Sequence, residues 1–242
     1  MMTYSLAISN PYVILMQNLA KQLQLVRDRI HRAEAEYNRF PGSVQLLAVS
    51  KQQSVDTIAQ AYALGQDCFG ESYLQEAIKK IDALQHLSIS WHFIGHIQSN
   101  KTRVVAEKFD WVHSVDRLKT AIRLNDQRPK NFKPLNICIQ VKLDEEISKT
   151  GMLPEAAIEL AQAVTKLPQL QLRGLMAIPL LRAETNAQRA SFARLSKLQQ
   201  QMNQQGFDMD TLSMGMSRDL EAAIAQGATI VRVGQAIFGP RE

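Results

Sequence analysis

Short apolar runs alternate with amphipathic stretches along nearly the whole chain. The first amphipathic stretch covers residues 18–37, where Leu19, Leu23, Val26, Ile30, Ala33 and Tyr37 recur at spacings of three and four. That spacing lines one face of a helix, and Pro41-Gly42 then stops it. Eight apolar runs follow, over 45–50, 68–70, 91–95, 111–115, 135–143, 172–178, 211–214 and 229–233. They are short and continuous rather than alternating, as strands buried on both faces of a parallel sheet are. Between them, Val55, Ile58, Ala59 and Tyr62 form one helical stripe, and Leu74, Ala77, Ile78, Ile81 and Leu84 another. Pro154 stands at a first helical position ahead of Ile158, Ala161, Val164 and Leu167. Phe192, Leu195, Leu198 and Met202 precede Gly206, and Leu220, Ala223 and Ile224 precede Gly227, glycines placed to end helices.

Eight strand–helix repeats in 242 residues predict an α/β fold, a single (β/α)8 TIM-type barrel with an extra N-terminal helix. An open doubly wound sheet is the alternative, but no GxGxxG follows any strand to support its dinucleotide-binding form. Residues 1–17 read as an N-terminal extension and 18–242 as the barrel, with no linker or second domain. The opening MMTYSLAISNPYVILM has no basic start, and Ser9-Asn10-Pro11 breaks its apolar stretch, so it does not read as a signal peptide. The two cysteines, Cys68 and Cys138, are far apart, which excludes a disulfide scaffold and suits a reducing compartment. No apolar run has the length of a membrane span. The expectation is a cytoplasmic protein without a membrane partner. Basic residues number 28 against 23 acidic ones, a net charge of +5, and they are scattered. No Lys/Arg block with interleaved aromatics points to nucleic acid, whereas small anions such as phosphates fit the balance.

In a barrel of this type the chemistry sits at the C-terminal ends of the strands. Lys51 closes the first run, QLLAVS. Desolvation there lowers the pKa of an amine and prepares it to form a Schiff base; the alternative is a lysine that reaches from the strand end into water. In SMGMSRDLE, residues 213–221, a strand ends, a glycine turns, and Ser217 is placed to cap a helix. That is either a phosphate site or a plain capped helix. Arg232 stands within the apolar last run, followed by Gly234, where a backbone can approach a ligand closely. Barrel phosphate sites commonly use the loops after the seventh and eighth strands, and these are those two segments. His92 and His96 are four apart, but on a strand-to-turn segment, so no metal site is expected. His113 reads as a satisfied interior histidine, residues 95–101 as a polar helix entry at the mouth, and Asp144-Glu145-Glu146 as a solvated loop.

The segments LLAVSK, FGES, WHFIGHIQSNK, KTG, RGLMAI, LSMGMSRDLEAAI and GATIVRVGQAIFG, in this order, resemble the pyridoxal phosphate homeostasis protein family from about residue 18 onward. The resemblance implies a barrel like the N-terminal domain of alanine racemase, and pyridoxal 5'-phosphate (PLP) held as a Schiff base on Lys51. It implies that Ser217, the backbone of Gly215 and Met216, and the Gly234-Gln235 turn hold the phosphate, that Arg232 faces the pyridine nitrogen, and that Ser72 and Met214 complete the cofactor-contacting set. Two positions depart from the family pattern. Ser72 stands where an Asn is usual, and Gln235 where a small hydroxyl residue is usual.

The implied role is a monomeric PLP carrier or buffer that passes cofactor to apo-enzymes without turnover. A PLP-dependent racemase is the alternative. Racemases of this fold add a tyrosine from a further β domain across a dimer, and this sequence stops just after the eighth run. A phosphate-ester barrel enzyme without PLP is a third reading.

Overall fold

The computed structural model describes residues 11–144, 151–180 and 182–240. Among them, eight parallel strands close into a barrel in sequence order. They are β1 (Gln45–Val49), β2 (Cys68–Glu71), β3 (Ser90–Phe93), β4 (Trp111–Val115), β5 (Leu135–Gln140), β6 (Leu170–Met176), β7 (Thr211–Ser213) and β8 (Ile230–Val233). β1 closes the ring, pairing Ala48 with Phe69 on β2 and Leu47 with Arg232 on β8. Helix α1 (Pro11–Glu36) precedes the barrel, and α2 (Val55–Ala63), α3 (Leu74–Ala83), α4 (Thr102–Lys108), α5 (Leu118–Gln127), α6 (Pro154–Val164), α7 (Thr185–Gln204) and α8 (Leu220–Ala225) link the strands. A short α9 (Gln235–Phe238) follows β8. Among the described residues no helix is long and apolar enough to cross a membrane.

The barrel is the one the apolar runs predict, with differences at the edges. Helix α1 begins at Pro11 rather than residue 18, so residues 11–17 extend the helix; a proline suits the first turn, where its missing N–H costs nothing. β5 ends at Gln140 and β6 runs from Leu170 to Met176. Helices α4 and α5 show no apolar stripe in the sequence. α4 has only seven residues, and α5 turns Thr120, Ala121 and Leu124 inward while Leu118 and Ile122 stay exposed. That inverted placement dilutes the periodic signal.

Strand side chains alternate between lumen and outer wall. Phe69, Trp91, Phe93, Val112, Leu212, Val231 and Val233 face outward and share the main core with the helices. Leu47, Cys68 and Ile230 form a small cluster in the lumen, with Ile94 and Trp111 against it. The rest of the lumen is polar, and that part leads to the site.

Candidate functional site

At the C-terminal mouth of the barrel a cavity of about 350 Å³ is lined by Lys51, Ser72, Met216, Ser217, Arg232, Gly234 and Gln235, with Val49, Ile94, Ile178, Arg218 and Asp219 completing the wall. The size is that of a small-molecule site. Lys51 follows β1 and lies with its Nζ 5.8 Å from the centroid of the Tyr73 ring. Arg232 is buried, with Nη1 donating to the Ser213 hydroxyl at 2.7 Å and Nη2 to the Ala177 carbonyl at 2.9 Å. Burial pulls its pKa down to about 10, so it stays charged at neutral pH.

A hydrogen-bonded chain runs from Arg232 down the lumen. Ser213 Oγ meets His113 Nδ1 at 2.7 Å, His113 Nε2 meets His92 Nδ1 at 2.9 Å, and His92 Nε2 meets Ser90 Oγ at 3.2 Å. Both rings are fully buried. Burial pulls His92 down to about 3 and His113 well below the usual range, the latter helped by the Arg232 charge. Both are therefore neutral.

Seven of the nine predicted site residues line the one cavity, and two do not. Met214 is fully buried in the core, its N–H bonded to the Ile230 carbonyl at 3.1 Å. Gly215 lies behind the site at φ 90°, where a Cβ would come within 2.5 Å of the Ala223 Cβ; its carbonyl takes the Arg232 N–H at 2.9 Å. Its glycine identity serves the turn and the seating of α8. Ser217 is also not the helix cap. That position belongs to Asp219, whose Oδ1 accepts the Met216 N–H at 2.6 Å. Both residue types cap well, and the later start of α8 decides between them. Burial pushes the Asp219 carboxyl above the usual carboxylate range, against the Met216 N–H and the Arg232 charge.

Two further expectations change. Asp144 is not solvated: its carboxylate is buried and accepts from the Leu180 N–H at 2.7 Å, Arg182 at 3.2 Å and Arg194 at 3.1 Å. Glu145, Glu146, Lys149 and Thr150 lie outside the described residues. His92 and His96 part company, the first in the lumen and the second exposed at the mouth.

Residues outside the predicted set also shape the site. Arg29 of α1 clasps Glu221 with Nε–Oε1 at 2.7 Å and Nη2–Oε2 at 2.8 Å, and donates to the Ser217 carbonyl at 3.0 Å. The extra helix therefore braces the Ser217 turn. Gly95 lets the β3 end pass under Ser72, since a Cβ there would sit 2.1 Å from the Ser72 carbonyl oxygen. The sequence carries no signal for the first. The second is legible as a glycine in WHFIGH that only barrel closure explains.

The structure thus has a closed (β/α)8 barrel with a lysine after the first strand and a buried arginine on the eighth. The family model "Alanine racemase, N-terminal domain" matches residues 22–242. The chain is 53% identical over 227 residues to the pyridoxal phosphate homeostasis protein of Pseudomonas aeruginosa, covering 94% of this chain and 97% of the relative. The Escherichia coli K12 protein of that name is 47% identical over 230 residues, covering 94% and 98%. The chain belongs to the pyridoxal phosphate homeostasis protein family. PipY of Synechococcus elongatus, solved with PLP bound, superposes with a TM-score of 0.80 at 38% identity, covering 91% of this chain and all (100%) of that one. Alanine racemase of Clostridium difficile shares the fold at a TM-score of 0.70 and 14% identity, over 93% of this chain and 57% of that one.

Proposed function

We propose that this protein binds PLP in the mouth cavity, attached covalently through Nζ of Lys51, and serves PLP homeostasis as a carrier or buffer without turnover. The observation that carries this reading is the convergence of Lys51 and a buried, charged Arg232 on one cavity. PLP bound to PipY supports the ligand, and the relatives' name supports the role.

The residues fit the group. Lys51 offers an amine at the rim; its addition to an aldehyde carbon and the loss of water make the link. The Met216 N–H is committed to Asp219, so the phosphate is left to the Ser217 hydroxyl and the Gly234-Gln235 turn. When bound, PLP supplies an electrophilic carbon and a ring that withdraws electrons in proportion to the protonation of its nitrogen.

Arg232 would set that protonation. A guanidinium presents only N–H donors and holds its own protons, so against the ring nitrogen it would keep that nitrogen unprotonated. Ser213 and Ala177 fix the guanidinium in place. The site thus retains the cofactor while doing little to stabilise a carbanion, which is the basis for assigning a holder rather than an enzyme. The recipients are apo-enzymes that need PLP.

The test is the visible spectrum after incubation with PLP, followed by borohydride and peptide mapping. The expected result is a near-visible band that borohydride bleaches, a label on Lys51, and no band in Lys51→Ala. A wild-type protein that stays colourless overturns the reading. Measurable exchange of amino-acid α-protons in deuterated water overturns its non-catalytic part.

A further inference from the structure

The outer wall of the barrel is apolar where β2, β3, β4, β7 and β8 meet the helices. Glu71, the last residue of β2, breaks this rule: it is fully buried and meets Lys80 of α3, itself 3% exposed. Lys80 Nζ donates to Glu71 Oε1 at 2.8 Å and to the Ser50 carbonyl at 2.8 Å, and it pairs with Glu76. The Ser50 hydroxyl donates to the same Glu71 oxygen at 2.6 Å, and the Gln52 N–H donates to Glu76 Oε1 at 2.5 Å. Among the described residues, the side-chain bonds that leave this triad end on Ser50 or Gln52, the residues on either side of Lys51. Gln52 stands at φ 65°, a left-handed conformation that a residue with a Cβ adopts reluctantly.

We propose that the Lys80–Glu71–Glu76 triad is a positioning device for Lys51, gripping the peptide on both sides so that Nζ is delivered to the mouth cavity from one fixed backbone. Packing alone does not require it. Buried charges are costly to desolvate, and apolar side chains of similar size seat a helix at least as well. Glu71 Oε2 is buried without a hydrogen-bond partner, a further cost that packing would not ask for. The return is geometric: an amine held near its attack position gives up less freedom when the bond forms.

This inference rests on the PLP reading, and its test separates the two. Glu76 is 29% exposed, so Glu76→Ala and Glu76→Gln both leave a folded barrel. Three readouts are taken on each full-length protein. They are hydrogen exchange over residues 50–53 without PLP, the rate of PLP attachment by absorbance, and the affinity for pyridoxine 5'-phosphate, whose alcohol cannot form the bond.

Glu76→Ala is expected to exchange the Gln52 amide faster and to attach PLP about tenfold more slowly, the effect of losing one hydrogen bond to a charged group. Pyridoxine 5'-phosphate affinity stays within about twofold, since the cavity wall is untouched. Glu76→Gln keeps an oxygen for the Gln52 amide and recovers most of the attachment rate. Wild-type protein that takes up no PLP overturns the binding reading. Wild-type uptake matched in rate by Glu76→Ala, or a loss of pyridoxine 5'-phosphate affinity equal to the loss of rate, overturns the positioning role alone.

Discussion

Arg232 donates its Nη1–H to the Ser213 hydroxyl at 2.7 Å, and that hydroxyl joins the guanidinium to a chain of buried histidines. Ser213 Oγ meets His113 Nδ1 at 2.7 Å. His113 Nε2 meets His92 Nδ1 at 2.9 Å, and His92 Nε2 meets Ser90 Oγ at 3.2 Å. Each ring uses one donor and one acceptor, which the neutral form provides and the charged form does not. The lumen is thus a continuous polar chain headed by a cation.

Ser213→Ala removes the second link. It leaves an Arg232 N–H and His113 Nδ1 without their buried partner. The expected loss is about 1–3 kcal/mol of stability, measured by urea unfolding of the PLP-free protein. The absorbance band of bound PLP should also shift, because Arg232 loses one of its two anchors. An unchanged unfolding midpoint would falsify the assigned bonding.

The histidines also predict a pH profile. In the unfolded chain a histidine gains its proton near pH 6.5, whereas His92 in the folded protein waits until about 3. Between these values the unfolded state binds more protons, so stability is complete above pH 6.5 and falls as the pH drops. His92→Gln removes one such group. Its unfolding free energy should start lower at pH 7 yet lose about 2 kcal/mol less than wild type over the two pH units below 6.5. The comparison cancels the carboxylates, some raised and some lowered. Parallel pH profiles for the two proteins would show that His92 is not held neutral.

Most of the barrel was legible because parallel strands buried on both faces leave short apolar runs, and those runs survive in the sequence. Lys51 and Arg232 were legible for the same reason, as charges at the ends or in the middle of such runs. Residues that act across the fold were not. Arg29 meets Ser217 188 positions away, and Asp144 meets Arg194 50 positions away, so neither spacing carries a signal. Lys80 looks like an ordinary helix lysine until the barrel puts α3 against Glu71. Ser217 and Asp219 are both good caps two residues apart, and only the packing of α8 chooses.

The thiols give a third prediction. Cys68 and Cys138 are buried, and burial pushes both up to about 12. A thiol kept protonated and covered is a poor nucleophile. An aromatic disulfide reagent at pH 8 should therefore label neither cysteine in the native protein within minutes, and label both once urea unfolds it. Rapid labelling of the folded protein would mean that the lumen opens to solvent on that timescale.

Arg29 provides the last. It ties α1 to Glu221 on α8 and to the Ser217 carbonyl, yet does not itself line the cavity. Arg29→Met keeps much of the packing of the side-chain stem and removes all three bonds. The pair is partly exposed, so the stability cost should be modest, about 1 kcal/mol. The larger consequence should fall on the Ser217 turn, which loses its brace and must then be ordered by the ligand. PLP phosphate contact should weaken, seen as a several-fold rise in the dissociation constant for pyridoxine 5'-phosphate. Attachment at Lys51 is not directly disturbed, so at saturating PLP the variant should reach the wild-type absorbance and the same borohydride label. Glu221→Gln should move affinity the same way by a smaller step, because the Ser217 carbonyl keeps its donor. If Arg29→Met lowers stability while leaving the affinity untouched, α1 stabilises the barrel without bracing its site.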